Sequence, residues 1–368
     1  MFFVKFLIVK GRINKKMTSR ERVLKTLKHE EPDRVPIQDS VWGATIDRWR
    51  REGLPQDVNV DDYFDYEMAF FTADCTPRFP QDVIEENETF VIQRTPYGGI
   101  RKNFRDYSTT PEIIDWPIKS KDDWLRIKER LYPDETRVDW ESVKKGMEYH
   151  RSKGRFIVYS GVVGYDLLQN YVKSEDLLVL MITEKEWFQD MVMTTAKLVM
   201  EMCDTMIKRG YHFDGALLCN DMGYHKTSFF SPQLYKEEIF PADKMLCDYF
   251  HQQGMPVILH CCGNIKVLIP YLIEAGFDCL QPLEVKAGMD VCELKREFGD
   301  KIALMGGIDV RKMSCENPAI IEEEIATKFE VVKKGGGYIY HSDHSIPKDV
   351  SFEQYKRVIE LVKKYGKY

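Results

Sequence analysis

The chain has 368 residues, is 43% hydrophobic, and carries a formal net charge of −6 with a pI near 5.9. That is enough apolar material for one large core, and without a basic field the chain is not expected to bind nucleic acid or an anionic membrane. Nine cysteines lack the dense, regular spacing of a disulfide framework, so free thiols in a reducing cytoplasm are expected.

The first residues, MFFVKFLIVKGRINKK, are apolar for about nine positions but have no basic n-region or small-residue cleavage site. They are also too short to cross a bilayer. Met17 opens a more conventional start, so 1–16 is read as an extension and 17–368 as the folded domain. Beyond it, short β-branched or apolar runs at 35–38, 156–160, 215–219, 256–261, 279–282, 302–305 and 338–341 are separated by longer helical stretches. This alternation predicts an α/β fold, a single (β/α)8 TIM-type barrel.

Helix ends are readable between these runs. Thr183 and Glu186 have capping-box spacing before an amphipathic run that stops at Lys208, Arg209 and Gly210. Ser231-Pro232 has N-cap and N1 chemistry, and Ser351 with Gln354 starts a last helix ending at Gly366. Segment 82–116 breaks the rhythm: Val83 to Gln93 reads as strand and Tyr97-Gly98-Gly99 as a turn, with no helix following. It is expected to be a β-rich insertion over the barrel mouth.

The chemistry-bearing residues cluster at strand ends, where barrel enzymes place their active sites. In Val257-Ile258-Leu259-His260-Cys261-Cys262-Gly263-Asn264, His260 and Cys262 lie two apart and so point to the same face. Zinc accepts both imidazole nitrogen and thiolate sulfur, and a catalytic zinc keeps one coordination position open. A buried cysteine pair beside a hydrogen-bonded histidine is the structural alternative. Asp221, Glu284 and Asp309 also follow predicted strands, as do His341, Asp343 and His344. Asp309 reads equally well as a helix N-cap. Asp221, Glu284 and Asp343 are the candidate catalytic carboxylates.

Taken together, Arg34-Val35-Pro36, Ser231-Pro232 through Phe240-Pro241, His260-Cys261-Cys262-Gly263-Asn264, Gly306-Gly307-Ile308-Asp309 and the glycines at 335–337 resemble the uroporphyrinogen decarboxylase superfamily. Within it the chain resembles the zinc-dependent corrinoid methyltransferases and O-demethylation proteins. Decarboxylases carry an arginine-rich segment after R-x-P; here Pro36 is followed by IQDSVWGAT, and Arg48, Arg50 and Arg51 fall in a solvent-facing helical context. The resemblance implies a zinc set of His260, Cys262 and a later cysteine. In place of that cysteine stands His344, within His344-Ser345-Ile346-Pro347. It implies methyl transfer between a small thiol or methoxylated compound and a corrinoid. No D-x-H-x-x-G cobalamin motif is present, so the corrinoid is expected on a partner protein. A cofactor-free decarboxylase and a non-catalytic tetrapyrrole- or corrinoid-binding module are the alternative readings.

Overall fold

The computed structural model describes residues 17–105 and 110–368; the predicted extension 1–16 lies outside the described residues. Among the described residues eleven strands occur in chain order: β1 Met68–Phe71, β2 Val83–Glu86, β3 Phe90–Arg94, β4 Ile100–Phe104, β5 Glu112–Asp115, β6 Phe156–Val162, β7 Gly215–Cys219, β8 Val257–His260, β9 Cys279–Gln281, β10 Ala303–Met305 and β11 Tyr338–Ile339. Seven form a parallel sheet in the order β1-β6-β7-β8-β9-β10-β11, and β2 to β5 form a four-stranded sheet whose pairs are antiparallel.

Helices lie between successive parallel strands, so β6 to β11 alternate with helical segments as the hydrophobic periodicity predicts. The helix Lys185–Lys208 buries Phe188, Met191, Val192, Thr195, Ala196 and Val199, a 3.6-residue period that sets one stripe into the core. A smaller core of Met68, Phe156, Val158, Leu217, Ile258, Cys279, Ala303, Met305 and Ile339 occupies the other face of the sheet. Val23 and Leu27, from the helix Ser19–Leu27, pack into this inner core as well.

Two strand expectations need correction. Segment 35–38 is not a regular strand, and β1 was not anticipated. Pro36 has no N–H to donate, which limits ladder formation. The segment nevertheless bonds to both edges of the sheet: Gln38 N donates to the Tyr340 carbonyl at 3.1 Å, Tyr340 N to that of Pro36 at 2.9 Å, and Glu67 N to that of Ile37 at 3.0 Å. Arg34 ties this segment to Glu67 at 3.1 and 3.2 Å. The Arg34-Val35-Pro36 motif therefore serves the framework.

Insertion 82–116 is β-rich as expected, but the single run from Val83 divides into β2 and β3, and a helix, Lys121–Lys128, does follow. Trp116 Nε1 donates to the Gln169 carbonyl at 2.9 Å and Tyr97 packs edge-on against Tyr171, so the insertion is anchored to the segment after β6. The Thr183 and Glu186 capping box does not form. Thr183 ends the preceding helix, its hydroxyl donating to the Val179 carbonyl at 3.1 Å, and Glu184 occupies the N-cap. The caps at Ser231 and Ser351 form as expected. Among the described residues, no helix is long and apolar enough to cross a membrane.

Candidate functional site

Strand alternation builds the site. Two positions beyond inner-core residues, each strand delivers one more inward side chain: Phe70, Ser160, Cys219, His260, Gln281 and His341 line a single cavity of about 400 Å³, with Gln38 and Met305 completing the ring. Trp42, Cys262, Pro282, His344 and Ser345 rise around this floor. The cavity lies at the C-terminal ends of the parallel strands, where a barrel enzyme carries its chemistry.

The β8–β9 register sets His260 beside Gln281. A chain of hydrogen bonds then fixes the imidazoles. His341 Nδ1 lies 2.6 Å from the Ser342 carbonyl, an acceptor, so this nitrogen carries the hydrogen. Burial holds the His341 pKa below its ordinary value and keeps the ring neutral. Its Nε2 therefore accepts from Gln281 Nε2 at 3.2 Å, which leaves the Gln281 oxygen to accept from His260 Nδ1. His260 Nε2 is left with its lone pair facing the cavity.

Cys262 meets that lone pair: its Sγ lies 3.5 Å from His260 Nε2. Two ligands of one tetrahedral zinc, at about 2.3 Å for sulfur and 2.0–2.1 Å for nitrogen, are separated by roughly 3.6 Å. The donor pair therefore fits such an ion. Ligand atoms of Asp221, His260 and Cys262 lie within 4.8 Å of one another, as do those of Cys262, Glu284 and His344. Cys262 thus joins two three-residue groups, with His260 in one and His344 in the other.

Backbone approach holds these groups in place. Gly263 has φ +77°, and a Cβ there would fall 2.4 Å from the carbonyl carbon of Gly223. Asn264 N also donates to the Tyr224 carbonyl at 2.8 Å. The loops after β7 and β8 are therefore in contact, and Cys262 N donates to Asp221 Oδ1 at 2.7 Å across them. Glu284 is buried and accepts from Gly263 N at 3.1 Å, with Lys286 Nζ 3.5 Å from its other oxygen. Burial, followed by the carboxylates of Asp221, Glu284 and Asp166, pushes the Cys262 thiol well above its ordinary pKa in the metal-free chain.

None of the three expected catalytic carboxylates, Asp221, Glu284 and Asp343, is in the cavity lining; Asp221 and Glu284 each share a metal-capable group with Cys262, which Asp343 does not. The Asp343 oxygens accept from Val285 N and Val310 N, both at 3.0 Å, which ties two loops together. Asp343 is thus satisfied by backbone donors, whereas His341 is satisfied by Gln281 and the Ser342 carbonyl. Asp309 is a helix N-cap, accepting from Arg311 N at 2.9 Å. Arg48 and Arg50 bond Glu52 and the Val58 carbonyl and contribute nothing to the cavity lining. Two groups had not been anticipated. Gln281 was detectable as the last inward residue of its strand. Asp166, on the helix after β6, carries no sequence signal; burial and the nearby Asp221 carboxylate push its pKa up to about 7.

The profile of the Uroporphyrinogen decarboxylase (URO-D) family matches residues 104–365, well over half of the chain. The chain belongs to the URO-D family. Over 84 residues it is 30% identical to a methylated-thiol–coenzyme M methyltransferase of Methanosarcina mazei, covering 23% of this chain and 21% of that protein. Over 108 residues it is 35% identical to a uroporphyrinogen decarboxylase of Shigella dysenteriae, covering 29% of each. These matched stretches span less than a third of either relative. Among solved structures, a methyltransferase from Methanosarcina mazei superposes with a TM-score of 0.67 at 14% identity, covering 95% of this chain and 99% of that one. This likeness shows the fold shared by the URO-D family chain and that protein.

Proposed function

We propose that residues 17–368 form one barrel, with 36–38 as its eighth staff, that carries out zinc-dependent methyl transfer between a small methyl compound and a corrinoid borne by a partner protein. The observation that carries this reading is the 3.5 Å approach of Cys262 Sγ to His260 Nε2 on the cavity wall. His260 and Cys262 would hold the ion, with His344 as third ligand and Glu284 or Asp221 completing or orienting the set. When bound, zinc supplies Lewis acidity at the methyl-bearing oxygen or sulfur.

The chain's own residues prepare the rest. Gln281 keeps the His260 Nε2 lone pair free, and the Gly263–Gly223 contact seats Cys262 beside Asp221. Demethylation breaks the bond from methyl carbon to heteroatom, and the electron pair stays on the heteroatom, which takes a proton. The new bond to carbon uses the electron pair of a Co(I) corrinoid, so the two partners exchange one methyl cation equivalent. The corrinoid is therefore a second substrate.

The test is methyl transfer from methyl donors to pre-reduced cob(I)alamin, followed by its absorbance change, with zinc-loaded and chelator-treated protein. Transfer that needs zinc is expected. Turnover of uroporphyrinogen by the pure chain, insensitive to chelator, would instead establish a decarboxylase.

A further inference from the structure

We infer that Asp39, which lies outside the cavity lining, is a positioning residue for the proposed metal site: it fixes the ring hydrogen of His341 and, through Gln281, leaves His260 Nε2 free to hold an ion, an inference that rests on the zinc reading. Gln38 lines the cavity, while Asp39, next in the chain, reaches away from it to Tyr355 on the last helix, Phe352–Tyr365. There the carboxylate is buried and its polar contacts are all donors. Its Oδ2 accepts from the Tyr340 and Tyr355 hydroxyls at 3.1 and 2.8 Å, and its Oδ1 from Ser40 N at 3.0 Å, from Ser342 N at 3.3 Å and from the Ser342 hydroxyl. The Tyr355 hydroxyl is braced in turn by that of Tyr66, 2.6 Å away. Neutral donors of this kind make the buried group tolerable without a counter-ion, and among the described residues no lysine or arginine pairs with it.

The side chain that faces this carboxylate is His341. Its Nδ1 lies 3.5 Å from Asp39 Oδ1 and 2.6 Å from the Ser342 carbonyl, so both neighbours of that nitrogen are acceptors. Burial keeps the ring neutral against the pull of the carboxylate, which leaves one ring hydrogen to be placed. A lone pair on Nδ1 would be repelled by both oxygens, whereas a hydrogen there is attracted by both. On the far side of the ring, Nε2 meets donors, the Gln281 amide at 3.2 Å and the Ser40 hydroxyl at 3.4 Å. Asparagine at position 39 would offer an N–H to Nδ1 instead. The His341 hydrogen could then move to Nε2, Gln281 would turn its oxygen to His341 and its N–H to His260, and the His260 hydrogen would sit on Nε2, where the ion must bind. Asp39 thus acts on His260 through two intervening side chains. It also bonds Ser342 Oγ, which lies 2.6 Å from the carbonyl of His344, the proposed third ligand.

The experiment reads tautomers and zinc affinity together. In the metal-free natural chain, 15N NMR is expected to show His341 and His260 each as a single Nδ1–H tautomer. In Asp39→Asn, with folding checked by circular dichroism, both should become mixtures, and competitive zinc titration should give an affinity about ten-fold lower. Tyr355→Phe takes a donor from Asp39 but keeps the carboxylate, so both tautomers should stay single there, which separates the charge from packing around it. An Nε2–H tautomer of His341 in the natural chain, or unchanged tautomers or unchanged zinc affinity in folded Asp39→Asn, overturns the inference. Tautomers that Asp39→Asn mixes, in a natural chain that binds no zinc, would keep Asp39 as the residue that positions His260 and remove the metal reading beneath it.

Discussion

The residue that governs the metal-facing imidazole is Gln281, whose amide N–H donates to the His341 Nε2 lone pair and whose oxygen therefore accepts from His260 Nδ1. Partners of this kind set both the orientation and the basicity of a ligand. Replacing Gln281 by Leu removes both bonds, and zinc affinity should fall by about 10–100-fold. In the metal-free chain, 15N NMR should show His260 moving from the single Nδ1–H tautomer to a mixture. An unchanged tautomer would mean that Gln281 does not set it.

Asp166 tests the electrostatics separately. Its folded pKa near 7 lies above that of an ordinary carboxyl, so the folded state holds a proton that the unfolded chain has released. Stability is therefore lost as pH rises from about 4 toward 7. Asp166→Asn cannot ionise and should gain about 1–2 kcal/mol over the natural chain at pH 8, with almost no gain at pH 4. Urea unfolding at both pH values measures this; an equal gain at both would assign the effect to packing.

At the scale of elements, the decisive contact is between the loops after β7 and β8. Gly263 combines a left-handed backbone with an approach to Gly223 that no Cβ could share. Gly263→Ala should cost roughly 2 kcal/mol or more and reduce zinc retention by separating Cys262 from Asp221, as denaturant midpoints and metal content would show. A stable variant with full zinc would show that the loops tolerate separation.

The same scale explains what could be read beforehand. β6 to β11 were legible because each is an apolar run bounded by helical periodicity, and His260 with Cys262 followed from strand parity. β1 was not, since Met68-Ala-Phe-Phe is short and follows helical turns, whereas the stronger β signal at 35–38 contains a proline. Asp343 was a candidate because it follows a predicted strand beside His341 and His344. It is satisfied by two backbone N–H groups from loops distant in sequence, a pairing that no local pattern encodes.

At the scale of the whole molecule, the sheet gathers donors from separate strand ends into one cavity while its helices supply the surrounding core. The proposed reaction then depends on a second protein for its corrinoid, so the isolated chain should be colourless and should transfer methyl groups only when corrinoid is added. Absorbance of the purified chain checks the first expectation.

The metal centre itself is the central claim. Zinc binding should release the Cys262 proton, because burial keeps the metal-free thiol protonated at neutral pH. The most direct measurement is competitive zinc titration against a chromophoric chelator for the natural chain, Cys262→Ala and His344→Ala, with folding checked by circular dichroism. About one tightly bound zinc per natural chain, lost in both folded variants, is the predicted result. A natural chain that binds no zinc under reducing conditions would contradict the account.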